Sequence, residues 1–518
     1  MKYTSTRNST ISITASEAIV KGISDEGGLF VPFAPKGLPK FTMNEIQDMA
    51  DKPYHERAFD VLSKFLDFDE SELRGCVSEA YNMNFRTLGA TRLVGLDNAA
   101  YMLELWHGPT AAFKDMALQI LPGLIKTSIK KVGKSKKILI LTATSGDTGK
   151  AALEGFKDVE GIEIVVFYPE DGVSDVQKRQ MTTQEGENVH VFAVKGNFDD
   201  CQNAVKAVFA DASVIKEAEK AEIAFSSANS INWGRLCPQI AYYISAYADL
   251  VAKKAILPGD KINICVPTGN FGNILAAYYA MEMGLPVEKF ICASNTNNVL
   301  TDFINTGVYS CKRDFHTTVS PSMDILVSSN LERLLYHISG NNDGLVNGWF
   351  TALSKKGEFE ADKKVKTKMK SLFYGGWCSE EETLETIKSV YNEHGYLMDT
   401  HTAVGYKVWQ DYMSKSGGGK PSNAGTKTII ASTASPYKFE TAVYEALYGK
   451  YSVPEIEEED DFANGEPKAV LNTLTKELEA KTGIPIPKPL VGIDEKPIRF
   501  TQTLTKAQIK NAVLKILE

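Results

Sequence analysis

Four short segments combine residue types that bind anions or carry out amine chemistry. Residues 144–150 read TSGDTGK, residues 267–273 read PTGNFGN, residues 432–436 read STASP and residues 107–115 read HGPTAAFKD. The first two place hydroxyl groups, amides and glycine-exposed backbone N–H groups ahead of a predicted helix, where negative charge is favoured. These two segments therefore predict sites for a phosphate or a carboxylate, although an ordinary capped helix or tight turn would look similar.

The fourth segment contains a lysine in an unusual setting. Lys114 follows an apolar run at the mouth of a Gly-Pro turn. A lysine that is partly desolvated near a phosphate site suits Schiff-base chemistry. A single lysine is more often a solvated residue on a helix surface, so this interpretation depends on the other segments.

An ATP site is disfavoured by the details of the first segment. Gly149 and Lys150 follow a predicted strand, as in a phosphate-binding loop of the Walker type. However, Thr144 stands where the first glycine of that motif belongs, and Ala151 stands where a serine or threonine belongs. The glycine pattern of residues 267–273 also differs from the dinucleotide-binding GxGxxG.

The composition is that of an ordinary globular protein. The chain has 518 residues, of which 43% are hydrophobic and 24% charged, with a net charge of −8. Because nucleic-acid binders are normally basic, we expect no nucleic-acid partner. The seven cysteines form no CxxC pair and the seven histidines show no metal-ligand spacing, so we expect reduced thiols and no metal site.

The apolar segments predict a cytoplasmic protein without a membrane span. The longest, residues 236–252, contains Pro238, Gln239 and Asp249 and is predicted to be a buried helix. The first eight residues lack the apolar core of a signal peptide.

From about residue 100, apolar strands alternate with polar loops and amphipathic helices. Six such units are predicted, with strands at 137–141, 162–168, 189–194, 262–266, 290–293 and 428–432. This alternation favours parallel sheets that are buried on both faces. A gap at about 220–260 separates two groups of strands, so we predict an α/β fold with two doubly wound domains.

The expected organisation has four parts: an N-terminal region (1–100), a smaller α/β domain with Lys114 and the 144–150 loop (101–225), a larger α/β domain with the 267–273 loop (226–450), and a C-terminal acidic linker and helix (451–518). Residues 414–427 are predicted to form a surface loop. Residues 455–461 hold six acids and are predicted to be a solvated linker.

Together, these segments resemble one family. HGPTxxFKD, TSGDTG, PTGNFGN and Ser432-Thr433 occur in the order found in threonine synthases of the bacterial and fungal class. Residues 3–7, 25–32, 227–235 and 399–405 also resemble that family, and the resemblance runs from about residue 3 to 450. It implies the tryptophan synthase β-like (type II) fold of pyridoxal-phosphate (PLP) enzymes, with an N-terminal extension.

The resemblance also implies roles for individual residues. Lys114 would carry the PLP cofactor as the catalytic lysine, and Thr433 would face its pyridine nitrogen. The cofactor phosphate would be held by Gly269, Asn270, Phe271, Gly272 and Asn273. The carboxylate end of the substrate would be held by Thr144, Ser145, Asp147 and Thr148, and the substrate phosphate by Asn229, Ser230 and Arg235.

The implied reaction converts O-phospho-L-homoserine and water to L-threonine and phosphate by γ-elimination and β-addition, the last step of threonine biosynthesis. The implied partner is this small molecule, with the chain as a monomer or small homo-oligomer. Because Asp147 would repel a carboxylate, we expect its backbone to matter more than its side chain. Ser435 stands where relatives often carry histidine, and the long extension through which plant enzymes bind S-adenosylmethionine is not seen, so we expect no such activation.

Three alternatives stay open at this stage. One is a serine/threonine dehydratase or cysteine synthase, although neither would need the substrate-phosphate residues. Another is a catalytically silent binding protein on the same scaffold. The third is an ATPase that uses residues 144–150, which the two mismatches weaken.

Overall fold

The computed structural model describes residues 1–82, 84–85, 90–133, 137–170, 172–416, 425–451 and 468–517. The strands within these residues are β1 Lys2–Ser5, β2 Asn8–Ile13, β3 Phe30–Phe33, β4 Arg92–Gly95, β5 Ala100–Glu104, β6 Lys137–Ala143, β7 Ile162–Pro169, β8 Val189–Val194, β9 Ile223–Ser226, β10 Ile262–Pro267, β11 Val287–Ser294, β12 Val308–Ser310, β13 Glu358–Glu360, β14 Phe373–Trp377, β15 Thr428–Ser432 and β16 Thr503–Leu504.

The α-helices within the same residues are α1 Ala15–Lys21, α2 Met43–Asp48, α3 Tyr54–Leu62, α4 Glu70–Asn82, α5 Asp115–Leu118, α6 Leu121–Val132, α7 Asp147–Phe156, α8 Asp175–Thr182, α9 Phe198–Ala210, α10 Ala212–Lys220, α11 Trp233–Leu236, α12 Pro238–Ala252, α13 Gly272–Glu282, α14 Val299–Thr306, α15 Leu331–Ile338, α16 Asp343–Lys356, α17 Lys363–Leu372, α18 Glu380–His394, α19 Thr400–Ser416, α20 Glu440–Tyr448, α21 Lys468–Thr482 and α22 Ile509–Leu517.

Two sheets organise the chain, as the strand pattern predicts. The larger sheet has the order β14-β11-β10-β15-β5-β4, and the smaller has the order β16-β8-β7-β6-β9. All neighbouring strands are parallel except β4 and β5, which are antiparallel. The predicted α/β fold with two parallel-sheet domains is therefore confirmed.

Each sheet is covered on both faces, which explains why its strands are almost uniformly apolar. In β10, Ile264 and Val266 belong to one hydrophobic core and Cys265, between them, to another. In β6, Ile140 and Leu141 divide in the same way between two cores. Successive side chains of a strand point to opposite faces, so each sheet lies between two apolar layers.

The N-terminal region packs against the helices that lead into the larger domain. Strands β1, β2 and β3 form an antiparallel sheet in the order β2-β1-β3. The fully buried Trp233 of α11 contacts the rings of Tyr3, Phe65 and Tyr279 at centroid distances of 5.3–5.5 Å. The predicted apolar helix at residues 236–252 is confirmed as α12, which is buried along almost its whole length.

At two places, strand pairing puts residues in a different sheet from the one that the expected domain boundaries imply. Strand β5, which leads to Lys114, pairs with β15 from Ala100–Thr428 to Glu104–Ser432 and so belongs to the larger sheet. At the other end of the chain, β16 pairs with β8 of the smaller sheet. Helix α22 packs into the hydrophobic cluster that covers one face of that sheet. Local sequence patterns do not reveal such pairings, because the partners lie more than 300 residues apart.

Two predicted loops fall wholly or mainly outside the described residues. The acidic segment 455–461 and most of the loop 414–427 are not described. Among the described helices, none combines the length and apolarity that crossing a bilayer requires.

Packing between α5 and α7 generates a stability prediction. A Cβ at Gly155 would lie 2.1 Å from the carbonyl oxygen of Leu118, at the end of the helix that begins directly after Lys114. We expect Gly155→Ala to lower the free energy of unfolding by about 1–3 kcal/mol, because the backbones must separate. Urea denaturation measures this loss.

Gly348→Ala is the matched control. Gly348 lies inside α16, and a Cβ there would have no atom within 4 Å. Alanine should stabilise this exposed helix position by up to about 1 kcal/mol. Equal effects of the two substitutions would contradict the close packing of α5 on α7.

Candidate active site

The predicted site residues come together around one cavity. It lies where loops leave the carboxyl ends of strands in both sheets, the place where open α/β sheets bind ligands. Every residue to which the sequence analysis gave a role lines it: Lys114, Thr144, Ser145, Asp147, Thr148, Asn229, Ser230, Arg235, Gly269, Asn270, Phe271, Gly272, Asn273 and Thr433.

Backbone pairing places Lys114 beside Thr433. The Phe113 N–H donates to the Thr433 carbonyl at 2.7 Å, and the Ser435 N–H donates to the Ala111 carbonyl at 3.0 Å. These two bonds form an isolated antiparallel bridge between Ala112 and Ala434, separate from the parallel pairing of β5 and β15. In the described part of the chain, the Thr433 hydroxyl makes no hydrogen bond, so it is available to a ligand in the cavity.

Lys114 is buried and its amine has no hydrogen-bond or ion-pair partner among the described residues; it lies 4.3 Å from the ring centroid of Phe113. Burial lowers the pKa of Lys114 to about 8, and the positive charges of Arg235 and Lys438 act in the same direction, against Asp147. At pH 7, this pKa raises the neutral fraction of the amine by about 300-fold relative to an ordinary lysine. The neutral amine is the form that attacks a carbonyl or accepts a proton.

The N-terminus of α13 forms a cradle of unpaired N–H groups. Within the described chain, the N–H groups of residues 269–273 donate to no protein group, and Phe271 adopts a left-handed conformation with φ of 61°. The carbonyls of these residues are held from outside: the Ser328 hydroxyl donates to Gly269 O at 2.7 Å, and Asn330 Nδ2 donates to Asn270 O at 3.1 Å. Fixed carbonyls leave the opposite N–H groups free for an anion.

Asn273 adds a side-chain donor to this cradle. Its Oδ1 accepts hydrogen bonds from Tyr242, at 2.7 Å, and from Tyr243, both on α12. Its Nδ2 is buried and has no partner among the described residues. A buried amide donor without a partner is costly, so its presence in the wall of the cavity points to an absent acceptor.

A second cradle lies at the N-terminus of α7. The Thr144 hydroxyl accepts hydrogen bonds from the N–H groups of Gly146 and Gly149 and donates one to the Gly146 carbonyl. These three bonds use the full hydrogen-bonding capacity of the hydroxyl. Thr144 therefore holds the loop, and its hydroxyl is not free for a ligand. The N–H groups of Ser145, Asp147 and Thr148 have no acceptor in the described chain and are available to an anion.

Arg235 is a buried cation that contacts the same loop through Thr148. It donates to the Ala228 carbonyl at 2.7 Å and to the Thr148 hydroxyl at 3.1 Å, and it has no carboxylate partner among the described residues. Burial lowers its pKa to about 10, so the guanidinium stays charged near neutral pH. The side chain of Asn229 donates to the Ala143 carbonyl and fixes this corner of the cavity.

These features fit PLP, the cofactor that the family resemblance implies. An unpaired lysine amine with a lowered pKa could hold its aldehyde carbon, and the 269–273 cradle with the orphaned Asn273 amide could hold its phosphate. The free Thr433 hydroxyl could face its ring nitrogen. The fit rests on donors that have no protein acceptor, not on the sequence motifs.

Three groups that support the site were not assigned from sequence. Lys438 forms an ion pair of 2.6 Å with Asp147. Burial alone would raise the pKa of Asp147, but Lys438 and Lys114 outweigh burial and hold that pKa below its usual value. His401 accepts from the Ser322 N–H through Nε2, so its Nδ1 donates to Asp399 at 2.9 Å. The family resemblance at residues 399–405 includes Asp399 and His401, but their spacing in the sequence does not indicate what they do.

The third supporting group is Arg333, a fully buried guanidinium in α15. It donates to the carbonyls of Phe30, Ser230 and Ile231 and to the Asn330 side chain. Since Asn330 in turn donates to Asn270, Arg333 connects the N-terminal sheet, the 229–231 corner and the 269–273 cradle. No sequence signal identifies it, because most of its acceptors are backbone carbonyls of distant residues.

This connection generates a prediction for Arg333→Met. The substitution leaves several buried carbonyls without a donor, so we expect the free energy of unfolding to fall by about 2–4 kcal/mol. Arg313→Met is the control, because Arg313 pairs with the half-exposed Asp302 at the surface and should cost less than about 1 kcal/mol. Urea denaturation of both variants measures the difference, and similar losses would show that Arg333 does not hold the two loops.

Known proteins of similar sequence show the family of the chain. The sequence matches three family profiles: Threonine synthase N terminus at residues 2–81, Pyridoxal-phosphate dependent enzyme at 86–345, and Threonine synthase, C-terminal, at 402–513. Threonine synthase of Pseudomonas aeruginosa is 38% identical over 452 residues, which cover 87% of this chain and 91% of that protein.

Two further similarities extend the comparison. Human threonine synthase-like 1 is 43% identical over 444 residues, which cover 83% of this chain but only 58% of the human protein, so the chain spans little more than half the length of that relative. The crystal structure of PLP-bound threonine synthase from Brucella melitensis superposes with a TM-score of 0.82 at 34% identity and full coverage of both chains. The chain therefore belongs to the threonine synthase family of pyridoxal-phosphate-dependent enzymes.

Proposed function

We propose that the protein is a threonine synthase, a carbon–oxygen lyase that converts O-phospho-L-homoserine and water to L-threonine and phosphate. One observation carries the proposal. The 269–273 cradle suits the cofactor phosphate, and the cavity also contains Arg235, a separate buried guanidinium that has no carboxylate partner in the described chain. A second phosphate, on the substrate, would supply the missing negative charge.

The donor groups suit an amino acid that carries a phosphate at its far end. The free N–H groups of Ser145, Asp147 and Thr148 suit the α-carboxylate, and Arg235 lies next to them through its bond to Thr148. Asn229 and Ser230 line the same wall and complete the proposed phosphate pocket. A substrate of this kind would be bound at both ends, which orients its α carbon towards Lys114.

PLP, when bound, supplies an electron sink for carbanions at the α carbon of an amino acid. The Lys114 amine, whose pKa burial lowers to about 8, would hold and release the protons that move during the reaction. The charged Arg235 would stabilise the phosphate as it leaves. The closed wall around Lys114, which is itself buried, would exclude water except where it is a reactant.

We place this activity in the cytoplasm and in a monomer or small homo-oligomer. All seven cysteines are free and six are buried, which supports a reducing compartment. A serine/threonine dehydratase would also use Lys114 and the 269–273 cradle, but it has no substrate phosphate and leaves Arg235 without a role.

The proposal is tested by the spectrum and the products of the purified protein. The PLP-loaded protein should absorb visible light through its lysine-bound cofactor and release equal amounts of phosphate and L-threonine from O-phospho-L-homoserine. Lys114→Ala should lose both the band and the products, since no other amine takes its place. Lys126→Ala, at a largely exposed lysine, should retain both.

The outcomes separate the alternatives. Absorbance without phosphate release, together with ammonia release from L-serine or L-threonine, would support the dehydratase. Absorbance without any turnover would support a silent binding protein. A Lys114→Ala variant that keeps the lysine-bound absorbance would contradict the assignment of this lysine.

Substitution of Arg235 tests the substrate phosphate separately. Arg235→Ala should weaken binding of O-phospho-L-homoserine by about 1.5–3 kcal/mol, the contribution of a charge-assisted hydrogen bond. L-threonine has no phosphate and serves as the control ligand, whose affinity should change little. Titrations followed by the visible absorbance of the loaded protein measure both affinities, and an equal loss for both ligands would remove Arg235 from the phosphate pocket.

A further inference from the structure

Lys438 is a fully buried cation that lies behind the cavity wall. Its Nζ lies 2.6 Å from Asp147 Oδ1 and donates to the Thr110 carbonyl at 3.1 Å. Lys438 belongs to the 3₁₀ turn Pro436–Phe439 after β15 of the larger sheet, whereas Asp147 begins α7 beside the smaller sheet. The ion pair therefore joins the two domains directly behind the site.

The Asp147 carboxylate is also held from a second direction. Gln177 of α8 donates to Oδ1 at 2.8 Å. Gln177 can approach because residue 146 is glycine: a Cβ there would lie 2.4 Å from the Gln177 side chain, and φ is +128°. The Ser174 hydroxyl, at the start of the same helix, donates to the Lys438 carbonyl at 2.8 Å. The 3₁₀ turn and α8 thus fix the direction of a single carboxylate, and Ser174 ties these two elements to each other.

This arrangement resolves the conflict that the sequence presents at Asp147. An unpaired acid at the start of α7 would repel a carboxylate that approaches the N–H groups of residues 145–148. It would also hold a proton on Lys114, which faces Asp147, Arg235, Lys438 and Asp399. Lys438 cancels the charge of Asp147 from the side away from the cavity, because it pairs with Asp147 without lining the cavity itself.

We propose that Lys438 is a positioning residue: its ion pair with Asp147 neutralises the start of α7, so that an amino-acid carboxylate can bind there beside an uncharged Lys114. The inference rests on the proposed function only for the identity of the amino acid. It assigns Lys438 a role that acts through Asp147. It predicts that removal of either charge alone disturbs the site, whereas removal of both charges together does not.

Four full-length variants test this inference. Lys438→Met leaves Asp147 unpaired, Asp147→Asn leaves Lys438 unpaired, and the double variant removes both charges. Lys407→Met is the control, since it breaks a lysine–aspartate pair of 2.7 Å with Asp411 in the partly exposed part of α19. For each, PLP is added to the protein stripped of cofactor, and the rate at which the lysine-bound absorbance returns is measured against pH.

The rate reports the neutral form of Lys114, because only the neutral amine attacks the cofactor aldehyde. Lys438→Met should move the midpoint of the profile to higher pH by about one unit or more, since Asp147 then favours the charged amine. Asp147→Asn should move the midpoint to lower pH, and the double variant should return it close to that of the unmodified protein. Lys407→Met should not move it.

A role in folding alone would lower the melting temperatures and leave the midpoints in place, and this result would overturn the inference. Shifts of both single variants in the same direction would also overturn it. If Lys438→Met does not fold, Asp147→Asn and the double variant decide the question, because an unchanged midpoint in Asp147→Asn contradicts the charge balance.

Substrate affinity provides a second readout. Lys438→Met should bind O-phospho-L-homoserine about tenfold more weakly in the PLP-loaded protein, and the double variant should regain most of that loss. Equal losses in the two variants would count against the inference. If the unmodified protein releases no phosphate from this compound, the proposed function fails, whereas the midpoints of cofactor attachment still test Lys438.

Discussion

The site depends on burying positive charge without a protein carboxylate to balance it. Lys114, Arg235 and Arg333 are each buried, and in the described part of the chain Lys114 and Arg235 have no acidic partner. Taking a charge out of water costs several kcal/mol, so the fold must supply other contacts that hold these residues in place. An anionic ligand would supply the missing counter-charge.

The two sheets supply the necessary contacts by meeting at their carboxyl ends. The smaller sheet brings the α7 cradle, the larger sheet brings Lys114, Thr433 and the α13 cradle, and α11 brings Arg235 between them. The N-terminal antiparallel sheet contributes no residue to the cavity lining, yet a carbonyl of β3 helps to fix Arg333, which in turn holds the 229–231 corner and the 269–273 cradle. A region outside the two large sheets thus helps to fix the geometry of these loops.

Buried acids serve a different purpose from the unpaired cations. Asp147 is paired with Lys438, and Asp399 fixes the orientation of His401, which in turn holds the Ser322 N–H. Each acid is ion-paired or hydrogen-bonded by a neighbouring side chain, which limits the negative charge that faces the cavity. Carboxylates can therefore shape the cavity walls beside buried cations.

The sequence by itself determined six of the eleven described strands in the two sheets, the resemblance to the family and fourteen of the residues that line the cavity, because apolar strand runs and glycine-rich loops are local patterns. Tertiary structure decided what each residue does there. Thr144 uses its hydroxyl within its own loop, Asp147 forms an ion pair with a lysine 291 positions away, and Arg333 donates to backbone carbonyls and to the Asn330 side chain. The placement of β5 and β16 also depended on pairing with distant strands. Hydrogen bonds and ion pairs of this kind join residues that are remote in the chain, so no local pattern encodes them.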